Sequence, residues 1–108
     1  MSNLSDIFSL QGKVVVITGA TGLLGRKHVE AVACYGGIPV LIDLSQKTID
    51  HFVNELNKKY KVSSLGFAID ITNEEAIRNN VNQLVKKFGK IDGLVNNATN
   101  NPKVEGNG

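Results

Sequence analysis

The sequence predicts an α/β protein built on a parallel sheet with strand order 3-2-1-4. Three observations carry that reading: β-branched apolar runs alternate with amphipathic helical stretches, the connections are short, and a glycine-rich turn joins the first run to the first helix. Each crossover helix returns the chain to the same edge of the sheet, right-handed in nearly every case, so the order βαβαβαβ forces parallel strands. At 108 residues the chain is sized for one domain with a modest core.

Residues 1–12 are aperiodic, with Phe8 and Leu10 as apolar anchors, and read as an arm laid loosely on the first strand. The sheet domain is expected over residues 13–98. Val14, Val15, Val16 and Ile17 form a continuous β-branched run, which suits a central strand buried on both faces. The turn TGATGLLG follows. Leu24, His28, Ala31, Val32 and Tyr35 then step at helical spacing through residues 23–35, and Gly36 and Gly37 supply the stop. PVLID at residues 39–43 reads as the second strand, with Pro39 at its first position, where no ladder bond need be lost, and Asp43 at its end.

Ser45 is placed to cap a second helix whose apolar face is Ile49, Phe52, Val53, Leu56 and Tyr60. SLGFAI at residues 64–69 is the third strand, closed by Asp70. Thr72 followed by Glu75 has the spacing of a capping box, and Ile77, Val81, Leu84, Val85 and Phe88 make the stripe of a third helix that Gly89 ends. Leu94 and Val95 form a short fourth strand running into Asn96, Asn97 and Ala98. Residues 99–108 have turn chemistry without periodicity and read as a disordered tail.

Composition excludes several function classes. Hydrophobic residues at 42% and charged residues at 20% are the balance of a folded soluble protein. The net charge is +2, with the lysines scattered rather than gathered into a tract with aromatics, so nucleic-acid binding gains no support. Cys34 is the single cysteine, which leaves no partner for an intrachain disulfide and fits a reducing compartment. His28 and His51 are too isolated to suggest a metal site or a general base. The opening residues lack an apolar leader core and no run is long enough to span a bilayer, so a cytoplasmic protein without a membrane partner is expected.

In a sheet of this order, ligands bind outside the carboxyl ends of the strands where the order reverses, here between strands one and four. Gly19, Gly22 and Gly25 fall there, where a turn must be tight, backbone must approach a pyrophosphate, and the helix must pack close to the sheet. The whole loop, Gly19, Thr21, Gly22, Leu23, Leu24 and Gly25, is the expected phosphate cradle. Glycines alone could punctuate a strand-to-helix turn for steric reasons, but Asp43 stands 18 residues after Gly25 at the end of strand two. A carboxylate there can accept from both ribose hydroxyls of an adenosine and repels a 2′-phosphate, which favours NAD over NADP. Asp43 could otherwise be a helix cap or a solvated loop acid. A P-loop fails on residue type, because Gly25 is followed by Arg26 and Lys27.

TGATGLLG after VVVI, Asp43, the Asp70-Ile71-Thr72 triplet and the segment from Gly93 to Ala98 together resemble the short-chain dehydrogenase/reductase family, over about residues 8–98. The resemblance implies a partial Rossmann-type fold, here the cofactor-holding half. It places Asp70 and Ile71 at the adenine ring, and Asn96, Asn97 and Ala98 beside the cofactor, bracing the central strands. Asp70 could instead serve only the following helix cap, and the two asparagines only the turn backbone. Two departures stand out. The glycines are spaced as in the family's extended branch while the Asn-Asn-Ala triplet belongs to the shorter one, and Thr99 replaces a usual glycine. The opening and closing segments look most like the oxidoreductases that bacteria keep with flagellin or surface-sugar modification genes.

The family's chemistry uses a tyrosine, a lysine four residues later and a serine. Here Tyr35 is followed at that spacing by Pro39 and Tyr60 by Ser64. A chain without the positioned acid/base is expected to bind a dinucleotide but not to transfer hydride alone. Its rival is a non-catalytic module that senses nucleotide or docks a partner. A methyltransferase-like domain also uses a glycine loop and an acid after strand two, but Asp70 and the Asn-Asn-Ala segment argue against it. Strand four, lacking a fifth strand beside it, is expected to leave an apolar edge prone to self-association.

Overall fold

The computed structural model describes residues 9–97; the expectations for most of the arm, for Ala98 and for the tail lie outside them. The element order is β1 (Val14–Thr18), α1 (Leu23–Cys34), β2 (Ile38–Asp43), α2 (Gln46–Tyr60), β3 (Leu65–Ala68), α3 (Glu74–Phe88) and β4 (Gly93–Asn96). The strands form one sheet in the order β3-β2-β1-β4, with every pairing parallel. Thr18 lies opposite both Ile42 and Asn96, and Asp43 lies opposite Ala68, so the chain's polar strand ends gather along one edge.

The β-branched run behaves as its composition demands. Val14 and Ile17 are almost wholly inaccessible, and Val40, Leu41 and Ile42 of β2 are likewise buried from both sides. One layer forms where α1 and α2 cover Val15, Ile17 and Leu41 with Val29, Val32, Ile49, Phe52 and Leu56. The other is thinner, with Leu84 of α3 set against Val14, Val40 and Ile42. Two helices cover the first face and one the second.

Helix α2 follows the sequence reading: Ser45 caps it by accepting from the Thr48 amide, and Ile49, Phe52 and Leu56 are its buried stripe. Helix α1 corrects it. The stripe expected through Leu24, His28, Ala31, Val32 and Tyr35 is rotated, and Gly25, Val29, Val32 and Ala33 are the residues turned inward. The cause is the close approach at Gly25, where any Cβ would overlap the Gly19 carbonyl, so the helix seats on its smallest side chains and turns Leu24 outward.

The start of α3 also differs. Its cap is Asn73, whose side-chain oxygen accepts from the Ala76 amide at 3.1 Å, while the Thr72 hydroxyl donates to Asp70 instead. Asx-type capping one residue later wins because Asp70 has already taken the threonine. Of the expected stripe only Leu84 is buried, together with Asn80, and Val81 and Val85 remain 40% and 44% exposed. Strand β3 is shorter than expected, since Ser64 is drawn off to Asn57, and Pro39 sits second in β2 rather than first. The position suits it: the Ile38 amide bonds Lys13 towards β1, and the pairing with β3 begins only at Val40, so the missing N–H breaks no ladder bond.

Candidate functional site

The glycine loop is a tight turn tied to the next strand. Gly19 has φ of 63°, a left-handed conformation that glycine adopts without strain, and the Gly22 amide closes the turn on the Gly19 carbonyl at 3.1 Å. Gly22 itself has φ of −74°, and a Cβ there would lie 3.3 Å from the Gly19 backbone oxygen, a tight contact but a far milder one than at Gly25. From the turn, the Ala20 amide donates to the Ile42 carbonyl at 3.3 Å. Thr21 then donates twice to one oxygen of Asp43, from its amide at 2.9 Å and from its hydroxyl at 2.6 Å to Oδ2.

Asp43 is thereby built into the loop. Its Oδ1 accepts from the Leu44 amide at 2.8 Å. Partial burial pushes the carboxyl upward, but the Thr21 hydroxyl, the Thr21 amide and the Leu44 amide together outweigh it and hold Asp43 below the usual carboxylate range. The sequence reading allowed Asp43 to be a helix cap; Ser45 holds that post, and Asp43 instead joins the glycine loop.

Among the described residues, no side chain caps the amides that open α1. Gly22, the residue before the helix, makes no side-chain cap, and the first turn contains no acid. Leu23 and Leu24 are exposed there, the first at 84%. Arg26 is turned away from this edge, stacked 4.1 Å over the Phe52 ring and 3.8 Å from Glu55.

At the neighbouring strand ends, the Thr18 hydroxyl donates to Asn96 Oδ1 at 2.7 Å and the Asn97 amide to the Thr18 carbonyl at 3.2 Å, which brings β1 and β4 together. Among the described residues, the Asn97 side-chain nitrogen is buried without a hydrogen-bond acceptor. Asp70 lies just beyond Ile69, whose amide donates to the Asp43 carbonyl. Its Oδ1 accepts from the Thr72 amide and hydroxyl, at 2.9 and 2.7 Å, and these bonds hold its carboxyl below the ordinary range. Ile71 turns into a groove of about 330 Å³ between the sheet and α3, shared with Val16, Thr18, Ile42, Asn80 and Leu94. Loop, Asp43 and the two asparagines thus share one edge, while Asp70 is linked to it through backbone.

Three residues were missed in the sequence. Thr18 was read only as the first residue of the TGATGLLG turn, though its place directly before Gly19 put it at the edge. Asn80 is an amide among the apolar positions Ile77, Val81 and Leu84, and its 6% exposure makes it part of the groove wall. Asp92 works at the opposite edge: its carboxylate accepts from the Val14 amide at 2.8 Å and lies 3.1 Å from the Lys90 ammonium, joining the starts of β1 and β4. Among the described residues no group of three His, Cys, Asp or Glu side chains could hold a metal ion, and no helix is long and apolar enough to cross a membrane.

This edge suits a dinucleotide in three respects: open helix-terminal amides, an ionised acid at the adjoining strand end, and a helix seated against the loop by a residue without a Cβ. The chain belongs to the short chain dehydrogenase family, whose model matches residues 13–107. Among its relatives, the sorbose reductase of Candida albicans is 34% identical over an alignment covering 96% of this chain and 38% of that protein. The post-translational flagellin modification protein A of Campylobacter coli is 29% identical, covering 82% and 35%. Among solved structures, the L-sorbose reductase of Gluconobacter frateurii complexed with NADPH and L-sorbose superposes with a TM-score of 0.79 at 32% identity, over 84% of this chain and 35% of that one. An NAD+-bound xylitol dehydrogenase gives 0.73 at 30%, over 79% and 32%. The chain therefore spans little more than a third of the length of the proteins it resembles.

Proposed function

We propose that this chain is the NAD-binding half of an oxidoreductase acting on CH–OH groups, and that it does not carry out hydride transfer alone. The observation that supports this reading best is the Thr21–Asp43 linkage, which sets an ionised carboxylate beside a glycine loop whose helix amides are open. In this reading Gly19, Thr21, Gly22, Leu23, Leu24 and Gly25 hold the pyrophosphate. Asp43 takes the adenosine ribose, Asp70 and Ile71 flank the adenine, and Asn96, Asn97 and Ala98 border the rest of the dinucleotide. The nicotinamide cofactor supplies hydride transfer when bound; the chain's own residues bind and orient it.

The preference for NAD follows from charge. An ionised Asp43 repels a 2′-phosphate, and Arg26, the first cation after the loop, is engaged by Phe52 and Glu55. The relatives include proteins described with NADPH and with NAD+, so the family fold accommodates both and the choice falls to such local groups. A cytoplasmic location remains part of the proposal.

Self-association through β4 is a second proposed property. Leu94 is 66% exposed on a strand whose outer edge is unpaired among the described residues.

Amide resonances of the purified 108-residue chain test the site assignment. Adding NAD is expected to shift residues 19–25, Asp43, Asp70, Ile71, Asn96 and Asn97. Shifts confined to other residues, or none at saturating NAD, would refute it.

A further inference from the structure

The proposed NAD reading leaves open how Asp43 discriminates, and the hydrogen bonds around its carboxylate sharpen that question. An ionised carboxylate offers about four lone-pair sites, two on each oxygen. Thr21 fills both on Oδ2, and the Leu44 amide fills one on Oδ1. One acceptor site remains, on Oδ1. The sequence reading had Asp43 accepting from both ribose hydroxyls, which needs two.

Thr21 is itself fixed. The turn closed by the Gly22 amide on Gly19 sets the direction of the Thr21 N–H, and the neighbouring Ala20 amide donates to the Ile42 carbonyl, so the loop is tied to the strand end. Among the described residues no cation forms an ion pair with Asp43, and the donors holding it are uncharged groups from Thr21 and Leu44. We infer that Thr21 is a positioning residue for nucleotide choice: its hydroxyl locks Asp43 with a single acceptor open to the ribose and prevents the carboxylate from swinging aside for a 2′-phosphate.

Discrimination then depends on rigidity as well as on charge. A carboxylate free to rotate can move away from an incoming phosphate at modest cost, and a carboxylate anchored by two donors on one oxygen cannot. The Asp43 carboxyl also owes part of its lowered pKa to the same hydroxyl, which gives a readout independent of nucleotide.

The inference rests on the NAD-binding reading, and the test separates the two. NAD and NADP are titrated calorimetrically into the unsubstituted chain, Thr21→Val and Thr21→Ser, and the Asp43 side-chain carboxyl is titrated by carbon NMR in each protein without nucleotide. The expected result is that Thr21→Val raises the Asp43 midpoint and shrinks the NAD-over-NADP affinity ratio by about tenfold, the scale of one charge-assisted hydrogen bond. Thr21→Ser should restore both. An unmoved midpoint in Thr21→Val overturns the lock itself. A raised midpoint with an unchanged ratio overturns its role in nucleotide choice while leaving NAD binding standing. Failure of the unsubstituted chain to bind either nucleotide overturns the NAD reading and this inference with it.

Discussion

The two sides of the sheet are finished to different degrees. On one, α1 and α2 bury Ile17, Leu41, Ile49 and Leu56 almost completely, and the loop above them is stitched to β2 through Thr21 and Asp43. On the other, α3 fully buries only Leu84 and Asn80, with Val81 and Leu94 left open in the groove and Val85 exposed. A parallel sheet is stable when both faces are covered, so the contrast marks the first side as self-sufficient and the second as a surface that further protein could cover. The glycine loop and Asp43 stand at the well-supported ends of β1 and β2, while Ile71 and Asn96 line the open groove.

Several substitutions would break or sharpen this contrast. The largest effect belongs to Gly25→Ala, which forces a methyl group into the Gly19 backbone carbonyl and is expected to cost on the order of 3 kcal/mol in chemical denaturation. Gly22→Ala is the matched comparison: with a 3.3 Å approach to Gly19 it should cost far less than Gly25→Ala yet bind NAD poorly, because the proposed site needs this backbone close to the pyrophosphate. Equal destabilisation by the two would show that the loop's glycines serve packing alone.

Next come the two cores. Leu56→Ala, in the closed layer, should cost about 3 to 4 kcal/mol, and Leu84→Ala, beside an open groove into which neighbours can relax, about 2. Both side chains are essentially inaccessible, so equal losses would mean that the groove gives α3 no freedom.

Acid should weaken the fold in a defined direction. Asp43, Asp70 and Asp92 all have lowered pKa values, so their contribution is present above the unfolded aspartate value of about 3.9 and lost as pH falls through their folded values. Asp43→Asn should reduce the steepness of that loss, and an unchanged acid profile would contradict the Thr21 bonding. The smallest expected effect on stability is that of Leu94→Lys, within about 0.5 kcal/mol. The same change should suppress self-association in sedimentation measurements, and undiminished association would place the contact elsewhere.

The same contrast explains what was legible in the sequence. Strand order, the α2 stripe, the Ser45 cap and the position of Asp43 follow from periodicity and short-range chemistry, and the structure keeps them. The α1 stripe was misread because hydrophobicity favours Leu24, whereas the Gly25–Gly19 approach is a tertiary contact that selects Val29 and Ala33. The Thr72 cap was misread because Asp70 competes for that hydroxyl, and residue spacing does not reveal the competition. At the candidate site, sequence placed Asp43 beside the loop, but the two hydrogen bonds from Thr21 depend on how the turn aims one amide and one hydroxyl. Periodicity holds no record of that direction.

The central claim is that the carboxyl edge of this sheet binds NAD in preference to NADP. Calorimetric titration of both nucleotides into the purified 108-residue chain tests it most directly. The expected result is saturable binding of NAD with NADP at least tenfold weaker, the scale of a repelled phosphate beside one carboxylate. Equal affinity for the two, or heat from neither, would contradict it.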